Sequence, residues 1–429
     1  MHKKIVVFTG FRMASRRSSY LCWVARLLHG IQGLIMGKQF FSSLVSLVSG
    51  NAAAQLIQLL GLMFFATVYA PAAFGVLGTS QSIAVILAAL LTLQLHLMVP
   101  LAESREKACR LVADARLIAF GVFAVLFVPA WVMGGHYLAV LLLALVVALN
   151  NIHCGLMVYA AQFHRVSLFY VFRAVLIVSF QFLFSSRYPE TGLLWGSLAG
   201  ECISSLALLL FVRAEGRIWP SYNMAKALWA RKAFTLYGTL QELLTIAAYY
   251  MPLYLFELKF GSSVSGQYAF SSRLVWGPLI VVTASLSQIL LKHFAGDVGR
   301  VHFQQVHRWA VRLALPIFLL SLVVAFVTEK VSFYLLGNDW QLASQMLALS
   351  IVWGAMFLMS MPYRVLLRVR GLQKFQLMVD LCVVALYAVL YFLLDVTPVE
   401  MMVAIVVVGG AQNVLLSGIV LRIDREQGR

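Results

Sequence analysis

The chain has 429 residues, of which 62% are hydrophobic and only 11% are charged, whereas soluble domains contain roughly 25% charged residues. No Asp, Glu, Lys or Arg occurs between Lys38 and Glu103, or between Leu117 and His164. Each of these gaps holds two stretches of about 20 apolar residues, the length that crosses a hydrocarbon core of about 30 Å. The composition excludes an ordinary soluble domain and predicts a polytopic all-α membrane protein.

Apolar runs that end at charged residues or at Pro/Gly turns predict twelve transmembrane helices. In chain order these spans are expected at 41–69, 73–100, 115–133, 137–160, 166–185, 192–212, 235–257, 266–291, 309–327, 341–363, 375–394 and 398–421. Because the number of spans is even, both termini are predicted to lie on the same side of the membrane.

Basic residues are concentrated on that side. Its loops and the two termini carry nearly all of the 33 Lys and Arg residues, whereas the opposite loops hold only Arg187, Lys259 and Lys330. This asymmetry is the positive-inside rule and predicts cytoplasmic termini. It also accounts for the net charge of +17 without nucleic acid as a partner. The five cysteines form no CxxC or Cys/His pattern, so neither a disulfide framework nor a metal site or cofactor is predicted.

The order of loops predicts four segments: a basic N-terminal cytoplasmic extension (1–40), a six-helix lobe (41–213), a cytoplasmic linker (214–234) and a second six-helix lobe (235–429). Two readings of residues 1–35 remain open. They form a segment lying on the cytoplasmic membrane surface, or the start codon is assigned too far upstream and the protein begins at Met36.

The two lobes show weak internal similarity at an offset of 191 residues. The alignment pairs Gly75 with Gly266, Ser80 with Ser271, Thr92 with Thr283 and Leu95 with Leu286. Repeated halves with a shared site between them are typical of secondary transporters. The pattern therefore predicts two lobes around a central cavity.

Two stretches carry a family resemblance: LVSGNAAAQLIQLLGLMFFATVYAPAAFGVLGTSQSI (47–83) and RKAFTLYGTLQELLTIAAYYMPLYLFELKFGSSVSGQYAFSSRLVWGPL (231–279). They resemble the Wzx-type polysaccharide flippases of the multidrug/oligosaccharidyl-lipid/polysaccharide (MOP) superfamily, and the diffuse similarity extends over residues 36–425. The resemblance implies two six-helix bundles, as in multidrug and toxin extruders (MATE), with helices 1, 2, 7 and 8 lining the cavity. The lipid II flippase branch has arginines on helices 1 and 2, and this chain has none there, which argues against lipid II as substrate.

The activity implied by the resemblance is transfer of an undecaprenyl-diphosphate-linked oligosaccharide from the inner to the outer leaflet of the bacterial inner membrane, during assembly of O-antigen, lipopolysaccharide or exopolysaccharide. Its partners would be that lipid, the bilayer and other polysaccharide-assembly proteins. A MATE-type extruder, which needs an anionic cavity for cationic drugs, is the first alternative. A membrane-embedded polymerase or glycosyltransferase is the second, although the short outer loops favour a transporter over an enzyme.

Large amides mark one face of helix 1. Asn51, Gln55 and Gln58 follow a spacing of 4 and 3 residues, which places them on the same side of a helix. Such groups within the bilayer require hydrogen-bonding partners. The spacing alone leaves two readings open, a wet cavity wall that holds sugar hydroxyls and a contact with a neighbouring helix.

Arg273 in helix 8 is the strongest candidate for a substrate contact. A charge in mid-bilayer is rare and faces protein or water, and Gly266 and Gly277 share its helix face, which predicts open space around it. The alternative is that Arg273 snorkels to the outer interface. Gln81 and Ser271 complete the predicted cavity set.

Four further charged residues fall within the predicted spans. Arg173 and Glu201 are expected to form a structural pair between helices 5 and 6. Glu242 is predicted to hold a coupling proton or Na⁺, or else to form a fixed salt bridge. Asp380 is a second candidate for ion coupling, with a salt bridge to Lys374 as the alternative.

Overall fold

The computed structural model describes residues 38–213, 235, 239–295, 299–370, 372–393 and 395–426. Within this part of the chain the structure is helical and contains no strand, which confirms the all-α prediction. The predicted extension up to residue 37 and the linker 214–234 lie outside the described residues.

Twelve α-helices occupy the described residues, and each overlaps one predicted span. They are α1 (Lys38–Phe65), α2 (Pro71–Thr92), α3 (Arg105–Met133), α4 (Gly135–Tyr159), α5 (Phe163–Leu183), α6 (Gly192–Arg213), α7 (Thr239–Phe260), α8 (Ser262–Ala295), α9 (Gly299–Leu336), α10 (Gln341–Val369), α11 (Gln373–Leu393) and α12 (Pro398–Glu426).

Several helix ends follow from local sequence. Helix α2 begins with Pro71 at a position where the missing N–H is not needed. Helix α3 begins after Ser104, whose side chain accepts a hydrogen bond from the Lys107 N–H at 3.3 Å. The tight connections after α3 and α9 contain Gly134 and Gly337, with φ of 114° and 79°. These are backbone angles that residues with a Cβ rarely adopt.

Other helix ends differ from the prediction. Helix α2 stops at Thr92, well before the predicted 100, because Leu93 and Gln94 adopt left-handed angles and short 3-10 turns follow at Leu95–Leu97 and Val99–Leu101. No Gly or Pro marks this break. Helices α3, α8 and α9 are longer than the predicted spans. An apolar run predicts only the part of a helix that lies within lipid, and these helices continue beyond it.

The two halves, α1–α6 and α7–α12, repeat one packing scheme. In the first half α4 packs against α2, α3 and α6, and α5 packs against α6. In the second half α10 packs against α8, α9 and α12, and α11 packs against α12. Helices α2 and α8, which correspond in the repeat, pack against each other and join the halves. From Leu47 onward the described part of the chain forms one compact unit.

Nine of the described helices are long and apolar enough to cross a membrane, and the chain is a multi-pass membrane protein. The three outside that set are α1, whose apolar segment is the shorter Ser49–Phe65, and helices α7 and α8. All three contribute side chains to the polar cavity described next.

Candidate functional site

A cavity of about 520 Å³ is enclosed mainly by helices of the first half and is bordered by two helices of the second. Helices α1, α2, α7 and α8 line it, as expected, and α4, α5 and α6 line it as well. The cavity therefore lies mainly within the first half, with only α7 and α8 contributed by the second. Its polar lining residues are Asn51, Gln55, Gln58, Gln81, Asn151, Tyr170, Arg173, Gln181, Glu201, Tyr249, Tyr250 and Arg273.

Arg273 lies in the cavity wall, and its guanidinium is held by the opposite half. Its Nη2 donates a hydrogen bond to Gln81 Oε1 at 2.6 Å, which links α8 to α2. Within the described part of the chain this partner is a neutral amide, and no ion pair of Arg273 with a carboxylate is found. The side chain therefore keeps its full charge at the cavity surface.

The three amides of α1 also face the cavity. Asn51, Gln55 and Gln58 all line it. Their position is the one expected if these amides form a polar cavity wall. At the same level, side chains of α1 reach α8: a Cβ on Gly277 would lie 3.3 Å from Gln55 Oε1 and 3.6 Å from Leu59 Cδ2. Gly277 thus allows the amide of Gln55 to lie against the backbone of α8.

Arg173 and Glu201 form a bidentate ion pair between α5 and α6. Arg173 Nε donates to Glu201 Oε2 at 2.7 Å, and Arg173 Nη2 donates to Glu201 Oε1. Asn150 on α4 donates to Glu201 Oε2 at 3.1 Å. The carboxylate is buried, with 5% of its side chain exposed, whereas 29% of the Arg173 side chain is exposed. Both residues line the cavity. The sequence predicted the ion pair but not its position in the cavity wall.

The charges of the cavity wall do not balance. The one described acidic residue in the lining, Glu201, is paired with Arg173, and Arg273 adds a second cation. Electrostatic interactions in a partly dry cavity are stronger than in water. The arrangement can therefore bind an anion, while its amides and tyrosines offer hydrogen bonds to neutral polar groups.

Some predicted site residues lie elsewhere. Ser271 is fully buried and donates to Gln267 O at 2.7 Å and Ala343 O at 2.8 Å, so it joins α8 to α10 and does not line the cavity. Glu242 lies exposed in the first turn of α7, outside the cavity lining. The roles expected for Glu242, holding a coupling proton or Na⁺ or forming a fixed salt bridge, stay predictions.

Asp380 is buried away from the cavity, between helices of the second half. It accepts a hydrogen bond from Gln412 on α12 at 2.7 Å. Lys374, the expected partner, instead lies over the ring of Phe375 with its Nζ 5.4 Å from the ring centre. The hydrogen-bond partner of Asp380 is therefore the amide of Gln412 and not the ammonium group of Lys374.

Gly266 does not open space beside Arg273. A Cβ on Gly266 would overlap the carbonyl oxygen of Pro71 and lie 2.8 Å from the backbone nitrogen of Gly75. A Cβ on Gly75 would overlap the carbonyl oxygen of Ser262. The two glycines that the repeat aligns therefore allow α2 and α8 to pack backbone against backbone.

An aromatic cluster lies beside this glycine contact. Trp340, ahead of α10, packs its ring 5.1 Å from that of Phe74 and 4.7 Å from that of Phe270. Its Nε1 donates to the carbonyl oxygen of Ala66 at 3.0 Å. Together with the Gly75–Gly266 contact, these groups hold the two halves together on this side of the cavity.

Several aromatic residues line the cavity although the sequence did not predict them there. Tyr249 and Tyr250 lie with ring centres 4.9 Å apart, and Tyr249 lies 5.9 Å from Trp276. All three line the cavity, as do Tyr170 and Gln181 of α5. Aromatic residues occur in eleven of the twelve predicted spans, so their identity alone does not distinguish cavity-facing from lipid-facing positions. Asn151 and Gln181, amides within predicted spans, are the residues whose type could have indicated the cavity.

The architecture, two six-helix halves that share a cavity, is similar to that of several solved membrane-protein structures. Among solved structures, the lipid II flippase MurJ in an inward closed conformation matches with a TM-score of 0.69 and 10% identity, covering 86% of each chain. A MATE protein in complex with MaL6 matches with a TM-score of 0.61 and 13% identity, over 90% of this chain and 96% of that one.

A multidrug resistance MATE family transporter of the MOP superfamily, in an inward-facing conformation, matches with a TM-score of 0.54 and 13% identity, over 92% of this chain and 96% of that one. No protein-family model matches the sequence, and no curated protein matches it. These comparisons define the fold.

Proposed function

We propose that this protein is a flippase that moves an oligosaccharide linked to undecaprenyl diphosphate from the inner to the outer leaflet of the bacterial inner membrane. The observation that carries the proposal is Arg273, a guanidinium held in the cavity wall by an amide and not neutralised by a carboxylate in the described residues. The cavity would receive the polar head while the lipid tail stays among the helices or in the bilayer.

Each part of the head group has a suitable partner. Arginine is always charged, and its forked N–H groups match a phosphate geometrically. The amides of Asn51, Gln55 and Gln58 can both donate hydrogen bonds to sugar hydroxyls and accept them. Tyr249 and Trp276 add flat apolar surface of the kind against which sugar rings can pack.

The membrane potential would favour this direction of transport. Moving two negative charges outward across an inside-negative potential gains about 4.6 kcal/mol per 100 mV. Coupling to a proton or Na⁺ is therefore not required. We assign both termini to the cytoplasm because of the strong bias of Lys and Arg toward their side.

A MATE-type cation extruder is the second candidate, and the aromatic wall of Tyr249 and Trp276 is the observation that favours it. Such rings attract cations. The charge of the cavity opposes it, because the one described acidic residue of the lining, Glu201, is already paired with Arg173. A cationic drug would face Arg273 without a free carboxylate to balance it.

A gene deletion tests the proposal against both alternatives. In the deletion strain we expect the lipid-linked oligosaccharide to accumulate on the inner face of the membrane, with unchanged resistance to cationic drugs. Complementation with the wild-type gene should restore export, and complementation with Arg273→Ala should not. Undiminished appearance of the glycan on the outer face of the deletion strain would refute the proposal, and a selective gain in drug sensitivity would favour the extruder.

A further inference from the structure

A second, apolar cavity of about 750 Å³ lies between α8, α9 and α10, and Met63 of α1 reaches its edge. Its lining is aliphatic except for a few hydroxyl groups. The Ser321 hydroxyl donates to Phe318 O at 2.7 Å, and that of Ser332 donates to Thr328 O at 2.6 Å. Because these donors are satisfied within their own helix, they do not make the cavity, called here the groove, a polar site.

The groove exists because α9 packs on one neighbour only. Helix α9 runs along α10 and makes little contact with α8, and only 11% of its apolar window is buried. Helix α10, by contrast, approaches α8 closely at Gly354, where a Cβ would lie 3.1 Å from Val275 Cγ1 and 3.3 Å from Leu279 Cδ2. The space between α8 and α9 is therefore left open and is lined mainly by apolar side chains.

The groove and the polar cavity lie on opposite faces of the same turns of α8. Arg273 and Gly277 line the polar cavity, whereas Leu274 and Pro278 line the groove. Helix α1 shows the same division, since Leu62 lines the cavity and its neighbour Met63 lines the groove. The two spaces thus share one boundary, the contact of α1 with α8.

We propose that the groove binds the polyprenyl tail of the same lipid whose diphosphate head is bound beside Arg273. This inference rests on the proposed function. With the head in the polar cavity and the tail in the groove, the lipid would pass between α1 and α8, the two helices that line both spaces. Burial of the tail against Val275, Leu279 and Leu320 would stabilise the complex in proportion to the apolar area covered.

Photo-crosslinking at two adjacent residues of α9 tests the inference. Val324 lines the groove and is 42% exposed, whereas Val323 is 60% exposed and lies outside the lining. With benzoylphenylalanine at each position of the full chain in proteoliposomes, radiolabelled undecaprenyl diphosphate should label position 324 severalfold more than 323. Excess unlabelled undecaprenyl diphosphate should abolish the label, and phosphatidylglycerol should not. Equal labelling of both positions, or equal displacement by phosphatidylglycerol, would mean that ordinary lipid fills the groove and would overturn the inference.

A transport assay separates failure of this inference from failure of the proposed function. Val324→Trp should slow the flipping of an oligosaccharide diphosphate with an undecaprenyl tail severalfold, while sparing an analogue with a farnesyl tail. Val323→Trp, the matched control, should leave both rates unchanged. If the wild-type protein moves neither lipid, the proposed function fails. If it moves both lipids and Val324→Trp transports the undecaprenyl lipid normally, only the groove assignment fails.

Discussion

Arg273 and Gln81 are 192 residues apart and meet inside the cavity, where the guanidinium Nη2 donates to the amide Oε1 at 2.6 Å. The repeat aligns Arg273 with Ser82, whose hydroxyl instead lies 2.6 Å from Tyr254 Oη on α7. The second half therefore carries a charge where the first half carries a small hydroxyl. This difference between corresponding helices makes the cavity cationic.

Replacing Gln81 with Glu should inactivate transport without unfolding the protein. The new carboxylate would pair with Arg273 and cancel the charge that the proposed diphosphate needs. Since a hydrogen bond to a charged group contributes about 1.5–3 kcal/mol, transport of the anionic lipid should fall by about tenfold or more. Gln341→Glu, at the exposed start of α10, serves as the control. Equal rates for wild type and Gln81→Glu in proteoliposomes would show that the charge of Arg273 is not used.

Loss of the carboxylate from the buried Arg173–Glu201 ion pair should destabilise the protein. Glu201→Gln leaves the Arg173 guanidinium without its carboxylate, and breaking such a pair costs about 3 kcal/mol. We expect a clear drop in unfolding temperature in detergent, largely recovered when Arg173→Met is combined with Glu201→Met. The exposed pair Lys107–Glu103 is the comparison, because Glu103→Gln should not change the unfolding temperature. A Glu201→Gln protein as stable as wild type would contradict the structural role of the pair.

The glycine contact between α2 and α8 should not tolerate a methyl group. Gly266→Ala places a Cβ onto the Pro71 carbonyl, and overpacking of this kind costs about 1–3 kcal/mol. Gly121→Ala in α3, where a Cβ would meet nothing within 4 Å, should be neutral or slightly stabilising. Thermal unfolding of the two variants in the same detergent measures the difference. Indistinguishable stabilities would mean that the halves are not packed this closely.

The Trp340 indole should hold the two halves together at the aromatic cluster. Trp340→Phe retains a ring beside Phe74 and Phe270 but removes the N–H that donates to Ala66 O. The loss of about 1 kcal/mol should raise the reaction rate of a cysteine introduced at Leu77, a buried cavity residue, with a membrane-impermeant thiol reagent. Trp309→Phe, at a position where the indole is 52% exposed, should leave that rate unchanged. Unchanged labelling in Trp340→Phe would show that the indole does not hold the two halves together.

Much of the fold could be predicted from the sequence because lipid imposes a simple rule. Every backbone polar group within the bilayer must be satisfied locally, so long apolar runs become helices, and each predicted span corresponds to a described helix. Helix ends outside lipid are not under that rule. The long ends of α9 and the break of α2 at Leu93 were therefore missed.

The site was only partly predictable, for reasons of orientation. The amides of α1 lie in the cavity because no apolar surroundings would satisfy them, and Arg273 lies there for the same reason. Ser271 was misassigned because a serine can satisfy its hydroxyl on nearby backbone carbonyls, here Gln267 O and Ala343 O, and needs no cavity. Gly266 was misread as open space, although a glycine equally allows two backbones to touch, as they do here.

The most direct test of the central claim is a flipping assay in proteoliposomes with a fluorescent oligosaccharide linked to undecaprenyl diphosphate. The wild type is compared with Arg273→Ala and with a control, Arg308→Ala, which replaces an exposed arginine of α9. The account predicts that wild type and Arg308→Ala move the lipid at similar rates and that Arg273→Ala moves it at the rate of empty liposomes. Full transport by Arg273→Ala, or no lipid transport by the wild type together with extrusion of a cationic dye, would contradict it.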